Sequence, residues 1–435
     1  RRTENENPAG EAARSAAAVE GWSPVRALGR LGIFEALRFR EFRMLWSGFA
    51  CMAMGLWMDQ VARGWLIYQL TNSTVQLGLV RGVQALPILF LSPVAGSMAD
   101  RYGRKLQMMV ALVLDGLMYG VLAILITTGS IEAWHVYVTA FAGAIVQTFH
   151  HPSRAAMVAD AVPKEHLTNA IGLNSIAFNV SRSTGPALAG LLIARFGTAG
   201  SYSIQAVLYL LATVLTGMLR MGERAAAGAG GHGGKESFGR SILEGWKFTW
   251  KNENVRAGIL ITMASALFIT PFVTLLPVFA RDILQVGATG QGFLLTGMGV
   301  GALCSAVLIA STGDRLPRGM VMLVGVTLYG LSVVAFASST WFKLSLILMP
   351  LVGLFHVTSH ALVQTVIQAY SPSEFRGRTM AVFQQNHFVL TVGSMLVGFL
   401  ASLWGAQWAL GSMGVAGALT MFVIFAKLPS IRNIR

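Results

Sequence analysis

Twelve long apolar runs constrain this chain more than any other feature of its sequence. Each is long enough for a helix to cross a bilayer, which takes about 20 residues, and none shows the strict alternation of a barrel strand. The composition agrees, because 12% charged residues cannot cover the surface of a soluble protein of 435 residues. The sequence therefore predicts an all-α integral membrane protein with twelve transmembrane helices. The predicted spans are 44–70, 75–99, 106–128, 133–157, 167–195, 201–221, 256–280, 288–312, 320–340, 344–368, 378–403 and 407–427.

The basic residues predict which helix ends face the cytoplasm, since Lys and Arg concentrate in cytoplasmic loops. Of the 33 Lys and Arg residues, 27 lie before the first span, in alternate loops, in the central linker or after the last span. We therefore expect both termini to be cytoplasmic. This distribution also accounts for the net charge of +14, so we expect no nucleic acid as a partner.

Composition divides the chain into five predicted segments. The tail ends in an amphipathic segment at 28–43, and the linker is rich in glycine and cannot bury a core. Within the linker, residues 238–251 place aromatic and basic side chains together and predict a short helix on the membrane surface. The segments are a cytoplasmic tail at 1–43, a six-helix half at 44–221, a cytoplasmic linker at 222–255, a second six-helix half at 256–428 and a cytoplasmic C-terminus at 429–435.

Two loop motifs recur in both predicted halves at nearly the same offset. The pair Asp100-Arg101 recurs as Asp314-Arg315, 214 positions later, and a second pair of similar loops lies 209 positions apart. Two matches at one offset indicate pseudo-symmetric six-helix halves. Such halves with a central site between them are the architecture of alternating-access transporters.

The loop from Gly96 to Lys105 resembles the signature loop of the major facilitator superfamily, G-x-x-x-D-R-x-G-R-[RK]. The stretches 151–154, 185–190 and 374–378 are similar to the bacterial efflux branch of that superfamily, which includes enterobactin and multidrug exporters. The resemblance covers residues 40–428 and implies the major facilitator fold, export, and the plasma (inner) membrane of a bacterium. We also expect a monomer without a cofactor.

Charged residues at the predicted cytoplasmic helix ends are candidates for a conformational latch. Charges there can pair across the two halves while the cytoplasmic side is closed, and Gly103 is expected to permit a tight turn. The alternative is that the arginines only anchor the helix ends on the cytoplasmic side. The candidates are Gly96, Asp100, Arg101, Gly103, Arg104, Arg154, Asp160, Glu165, Asp314, Arg315, Arg318, Glu374, Arg376 and Arg378.

Small residues in span 5 predict close helix packing, and a proline there is expected to bend the helix. The resemblance implies that this Gly-Pro motif marks an antiporter, although it ends Ala-Gly instead of Gly-Gly. Tight packing would also suit an importer, so the motif does not decide the direction of transport. The residues of this motif are Arg182, Gly185, Pro186 and Gly190.

Ionisable residues inside the spans are candidates for function, because burying a charge in a bilayer is costly. Asp59 and Arg63 lie four residues apart, hence on one helix face. Arg81 enters span 2 from the same side, and Asp115 lies in span 3. A carboxylate that loses an arginine partner can take up a proton, so these four residues are the proton-coupling candidates. The alternative is a permanent ion pair between Asp59 and Arg63 or Arg81.

Neutral polar side chains in spans 4, 5, 10 and 11 are candidates for the lining of a substrate cavity. The His-x₃-His spacing in span 10 is also that of metal ligands on a helix, but no third ligand lies nearby, so we expect no metal. Histidines packed at helix interfaces are a further alternative. The cavity candidates are Gln147, His150, Asn174, His356, His360, Gln384, Gln385, Asn386 and His387.

These features together predict a secondary active transporter that exports small organic molecules, drug-like or siderophore-like, in exchange for protons. The alternative is an importer or facilitator of a small polar solute with the same fold. The sequence contains no nucleotide-binding loop and no clustered catalytic motif, so we expect no enzyme activity. The expected partners are a small-molecule substrate, protons and membrane lipids.

Overall fold

The computed structural model describes residues 34–101, 103–220, 238–312, 317–428 and 431, and every regular element within them is a helix. Side chains are not described at 88–89, 92–101, 151–153, 155–156, 238–242 and 310. Eight stretches of the described residues are long and apolar enough to cross a membrane. The predicted all-α class is therefore confirmed for this part of the chain.

Six helices precede the linker, and we call them the N-terminal group. The last two are assigned as one helix, Leu167–Gly217, whose backbone leaves helical geometry at Gly197 with φ 69° and ψ 178°. A side chain at this positive φ would be strained, so glycine suits the break. The helices are α1 (Arg40–Thr71), α2 (Thr74–Arg101), α3 (Arg104–Thr127), α4 (Ala133–Asp160), α5 (167–196) and α6 (198–217).

The remaining helices comprise α7, which has the bounds predicted for the linker helix, and a C-terminal group of seven described helices. Two of the predicted spans are each long and apolar enough to cross a membrane, but neither is a single α-helix. The span at 256–280 passes from α8 into a 3-10 turn at Thr270–Leu275 and a π-helical turn at Phe279–Ile283, and the span at 378–403 breaks at Gln385. The helices are α7 (Phe238–Lys251), α8 (Glu253–Phe268), α9 (Gly287–Thr312), α10 (Arg318–Ser338), α11 (Phe342–Tyr370), α12 (Ser373–Gln384), α13 (Asn386–Trp404) and α14 (Ala406–Lys427).

One expectation about the basic segments is corrected. Gly103 has φ −54° and ψ 120°, which any residue adopts, so α3 begins without a turn that requires glycine. The described end of the predicted amphipathic segment packs partly on protein, and its place on the membrane surface stays a prediction. Ala36 and Phe42 are fully buried, and the Ala36 backbone N–H donates to Asn169 Oδ1 at 3.0 Å.

Small residues bring the two groups of helices close together. A Cβ added to Gly299 of α9 would lie 2.8 Å from Ser183 Cα of α5. Similarly, a Cβ added to Gly78 of α2 would lie 2.9 Å from Met395 Cα of α13. The close pairs α5–α9 and α2–α13 therefore frame the space between the groups.

Candidate substrate cavity

Hydrogen bonds tie together one end of the bundle, which we call the basic end. Arg104 at the start of α3 pairs with Asp160 at the end of α4 at 2.9 Å. The Lys105 ammonium donates to the backbone oxygens of Gly217 at 2.8 Å and Leu219 at 2.7 Å. The other end, where α1 is followed by α2, is called the opposite end.

The N-terminal and C-terminal groups contact each other at the opposite end through a polar cluster. The Tyr68 hydroxyl, near the end of α1, donates to Asp282 in the π-helical turn. Arg281 donates to the Asn72 side chain, and its guanidinium lies 4.5 Å from the centre of the Tyr68 ring. These contacts hold the end of α1 against the segment that follows α8.

A central cavity of about 940 Å³ lies between the two groups. Residues of α1, α2 and α5 form one side, and residues of the 3-10 turn, α9, α11, α12 and α13 form the other. A space of this size, lined from both groups, can hold a small organic molecule. Seven of the predicted site residues line it, namely Arg81, Arg182, Pro186, His356, Gln384, Gln385 and His387.

A charged chamber of about 260 Å³ lies beside the central cavity, within the N-terminal group. The two spaces share the side chains of Trp57, Gln60, Arg81 and Gln84. The chamber gathers all four proton-coupling candidates, which come from three helices. The predicted site residues that line it are Asp59, Arg63, Arg81, Asp115, Gln147 and His150.

Asp59 and Arg63 form a buried ion pair on α1. Asp59 Oδ2 lies 2.8 Å from Arg63 Nε, and each side chain is 8% exposed. Arg63 also donates to Thr139 Oγ1 at 3.2 Å and to the Val136 backbone oxygen at 3.3 Å, which fixes it against α4. The second oxygen, Asp59 Oδ1, is buried and accepts no hydrogen bond from the described residues.

The other two charged candidates have different surroundings. Arg81 donates to Gln60 Oε1 at 2.9 Å, so its partner is a neutral amide instead of the predicted Asp59. Asp115 faces α4, where a Cβ added to Gly143 would lie 4.0 Å from Asp115 Oδ1. No hydrogen bond or ion pair joins Asp115 to another residue in the described part of the chain. The chamber thus holds one paired and one unpaired carboxylate.

Arg182 and His356 lie on opposite walls of the central cavity. The Arg182 guanidinium on α5 lies 5.5 Å from the centre of the Trp57 ring. The His356 ring on α11 lies 5.0 Å from the Tyr329 ring at a tilt of 40°, and its buried Nδ1 has no hydrogen-bond partner among the described residues. His360, one turn on, contacts His356 and Phe383 instead of lining the cavity.

The predicted polar run of span 11 lies at the break between α12 and α13. Gln384 ends α12, Gln385 is the break and Asn386 begins α13. Gln384, Gln385 and His387 line the central cavity, whereas Asn386 is buried outside its lining. Three nearly consecutive side chains at this point therefore face the same space.

One cavity candidate lies away from both spaces. Asn174 is half-buried on α5 and lines neither the cavity nor the chamber. Within the described ranges, no three His, Cys, Asp or Glu side chains come close enough to hold a metal ion.

Three of the latch candidates, Arg104, Asp160 and Arg154, contact neighbours within the N-terminal group, and Arg378 contacts α7. Besides the Arg104–Asp160 pair, Arg154 lies 3.1 Å from the centre of the Phe49 ring, and Arg378 pairs with Glu244 of α7 at 2.6 Å. Arg318 begins α10, and Glu165, Glu374 and Arg376 are exposed. The side chains of Gly96, Asp100 and Arg101 are not described, and Asp314 and Arg315 lie outside the described residues. Pairing across the groups stays a prediction.

The helix-packing residues of α5 contact both groups. A Cβ on Gly185 would lie 2.8 Å from Trp57 Cβ of α1, and the Gly190 backbone oxygen accepts from Thr289 Oγ1 of α9 at 3.3 Å. Pro186 lines the central cavity. Small residues therefore place α5 between α1 and α9.

Comparison with known proteins decides the family. A family model described as a transmembrane secretion effector matches residues 32–434. The chain belongs to this family. The match confirms the major facilitator relationship that the loop at Gly96 to Lys105 predicted.

This protein is similar over most of its length to several bacterial transporters. The staphyloferrin A transporter of Staphylococcus aureus is 22% identical, over 86% of this chain and 92% of its own. The multidrug efflux pump Tap of Mycobacterium tuberculosis is 26% identical, over 88% and 92%. The macrolide efflux protein A of Streptococcus pyogenes is 21% identical, over 91% and 96%.

Solved structures share the fold of this protein. A bacterial homologue of the human lysosomal transporter Spinster, inward-facing and unoccupied, has a TM-score of 0.71 at 14% identity, over 91% of this chain and 98% of that one. The nucleoside transporter NupG has a TM-score of 0.71 at 11% identity, over 88% and 98%. These structures show the fold, and the family match shows that the protein is a transmembrane secretion effector of the major facilitator type.

Sequence reasoning missed two features of this protein. One is the opposite-end cluster of Tyr68, Asn72, Arg281 and Asp282, of which the adjacent opposite charges at 281 and 282 were the only signal. The other is the docking of α7 on α12 and on the residue that follows it. There the Trp246 indole N–H donates to Gln385 Oε1 at 3.1 Å, and no periodicity in the sequence indicates such a contact.

Proposed function

We propose that this protein exports small organic molecules in exchange for protons by alternating access. The observation that carries the proposal is the pair of adjoining spaces. A central cavity between the groups suits the substrate, and a charged chamber with two carboxylates suits the proton. The shared side chains of Gln60 and Arg81 would let events in one space affect the other.

We propose twelve spans in two six-helix halves, 44–221 and 256–428, joined by the linker at 222–255. The break at Gly197 supports this count, because it divides a 54-residue apolar stretch into two lengths that each suit one crossing. The helices α1, α2 and α4 have 32, 28 and 28 residues, long enough to cross, although their polar residues lower their hydropathy.

We also propose that the basic end faces the cytoplasm, in the plasma membrane of a bacterium, with both termini on that side. The concentration of Lys and Arg at that end supports this orientation. The opposite-end contacts of Tyr68 and Arg281 would then close the outer side, which corresponds to an inward-facing conformation. In this orientation a substrate would enter from the cytoplasm, and the protein would act as a monomer.

Asp59 and Asp115 are the proposed proton carriers. An unpaired carboxylate away from water is costly, and uptake of a proton removes its charge. Asp115 meets this description in the structure, while Asp59 would meet it when Arg63 moves away during the outward transition. The names of the relatives, which include drug and siderophore transporters, support a substrate among small organic molecules.

The test is an accumulation assay in a bacterial strain that lacks its own exporters, over a panel of drugs and siderophores. Cells that express the protein should retain less of at least one compound than cells with the empty vector. A protonophore should abolish the difference. Lower accumulation that resists the protonophore would contradict proton coupling, and higher accumulation would indicate an importer.

A further inference from the structure

We infer that the central cavity binds an organic anion, held by Arg182 and Arg81 on one wall and by neutral donors on the other. This inference rests on the proposed export function and names its substrate class. It is carried by the charge of the lining and by a half-buried arginine inside the bundle whose contacts supply no counter-ion.

The charges of the two spaces are separated. The charged side chains in the described lining of the central cavity are Arg81 and Arg182, and that lining contains no Asp or Glu. The carboxylates of Asp59 and Asp115 line the charged chamber instead, and Asp59 is already paired with Arg63 at 2.8 Å. A molecule in the central cavity therefore meets two cations and no anion of the described lining.

Arg182 is the stronger of the two anchors. Its guanidinium contacts the face of the Trp57 ring at 5.5 Å, and within the described ranges it donates no hydrogen bond to an acceptor and pairs with no carboxylate. Charged groups inside a membrane protein normally pair with one another or with backbone carbonyls. A substrate carboxylate or phosphate would supply that partner, and the planar guanidinium can bind either with two parallel hydrogen bonds.

Arg81 supports the same ligand from α2. Its one described hydrogen bond goes to the neutral Gln60 Oε1 at 2.9 Å, and it forms no ion pair with a carboxylate of the described residues. Arg81 and Arg182 line the same cavity, so one anion in it can interact with both positive charges.

The opposite wall is suited to the rest of such a molecule. Gln384, Gln385 and His387 supply hydrogen-bond donors from the break between α12 and α13. Leu295, Met298 and Phe388 supply apolar surface. The best fit is an amphiphilic molecule with an anionic group on an apolar body, because neither wall alone would satisfy both parts.

The direct test uses purified protein in lipid nanodiscs and two xanthene dyes of similar shape and opposite charge. Fluorescein, an anion, should bind with saturable fluorescence polarisation, and rhodamine 123, a cation, should not. Octanoate and citrate should compete with fluorescein, whereas tetraethylammonium should not. Binding of rhodamine 123 alone, or no anion binding at all, would overturn the inference. The proposed export function would survive either result if drug accumulation still responded to the protonophore.

Three variants test whether Arg182 binds the anion. Arg182→Gln should weaken fluorescein binding by roughly tenfold to a hundredfold, the effect of losing a hydrogen-bonded charge pair. Arg182→Lys should retain part of the affinity, because the charge remains. Arg195→Gln is the matched control, since Arg195 is exposed on the same helix and lines neither space.

A second measurement separates binding from folding. Because Arg182 lacks an anionic partner among the described residues, the ligand-free Arg182→Gln protein should melt at or above the temperature of the wild type. A marked loss of thermal stability together with unchanged fluorescein binding would show that Arg182 is structural, and would overturn the inference.

Discussion

The two carboxylates of the charged chamber differ in their partners, and this difference predicts different mutants. Asp59 is held by Arg63, which is itself fixed by Thr139 and the backbone of Val136. Asp115 has no such partner in the described part of the protein. Asp59 is therefore held in place by its partners in this conformation, whereas Asp115 has no partner that holds it in its charged form.

Asp115→Asn should leave the protein stable and remove its coupling to protons. The substitution keeps the size of the side chain and removes a charge that no described partner balances. In proteoliposomes, accumulation driven by a pH gradient should fall to background, while exchange driven by a substrate gradient should continue. Glu253→Gln, which alters an exposed carboxylate that lines neither space, is the control. Full pH-driven transport by the Asp115→Asn protein would exclude Asp115 as the carrier.

Asp59→Asn should destabilise the protein, because it leaves Arg63 buried without its counter-ion. Breaking a buried pair on one side costs about 3–5 kcal/mol, whereas removing both charges is often close to neutral. Thermal unfolding in detergent should therefore show a loss for Asp59→Asn and recovery for Asp59→Asn with Arg63→Gln. If the double variant also regains pH-driven transport, Asp59 carries no proton. If the double variant is stable but shows no pH-driven transport, Asp59 is a second proton carrier beside Asp115.

The sequence predicted the Asp59–Arg63 pair because both residues lie on one helix, where a spacing of four always places side chains together. It did not predict that Arg81 would bond to Gln60, since that choice depends on how α2 packs against α1. Local geometry can be read from the sequence, and the choice of a partner on another helix cannot.

At the scale of elements, α7 connects the linker to the substrate cavity. Glu244 pairs with Arg378 at 2.6 Å, and the rings of Phe248 and Phe375 stack at 4.8 Å. Beside them, Trp246 donates to Gln385, whose side chain lines the central cavity. The linker helix thus positions an amide that faces the substrate.

Trp246→Phe should change substrate affinity without changing expression. Phenylalanine keeps an aromatic ring but cannot donate a hydrogen bond, so Gln385 loses the contact that orients it. The loss of one hydrogen bond of about 1 kcal/mol corresponds to roughly a fivefold rise in KM. Trp250→Phe is the matched control, since Trp250 is 54% exposed one turn further along α7. Equal kinetics in both variants would contradict a positioning role for Trp246.

The helix bounds agreed closely with the apolar runs, but the interruptions inside two spans did not follow from them. Hydropathy depends only on the residue types, so an apolar run has the same hydropathy whether it forms an α-helix, a 3-10 turn or a π-helical turn. Gln385 and the segment at 270–283 therefore looked continuous in the sequence. The four polar residues at 384–387 were the available signal, because they drew attention to the place where α12 ends.

For the whole molecule, the structure has one closed end and a cavity beneath it. The opposite-end cluster links α1 to the segment after α8, and Thr74 of α2 donates to the Gly398 backbone oxygen of α13 at 2.8 Å. Alternating access requires that these contacts break when the basic end closes. The sequence predicted the general architecture from its repeats, but which end is closed depends on contacts between the two groups and could not be read from it.

A cross-link between α2 and α13 should hold the opposite end closed and stop transport. A Cβ added to Gly82 would lie 3.6 Å from Met395 Cγ, the position that the sulfur of a cysteine at 395 would take, so cysteines at both positions are close enough to form a disulfide with a small adjustment. With Cys51 and Cys304 first replaced by serine, Gly82→Cys with Met395→Cys should lose transport on oxidation and regain it on reduction. Each single cysteine variant controls for oxidation elsewhere. Continued transport by a fully cross-linked protein would show that α2 and α13 do not separate during the cycle, and the closed opposite end would then be a fixed part of the fold.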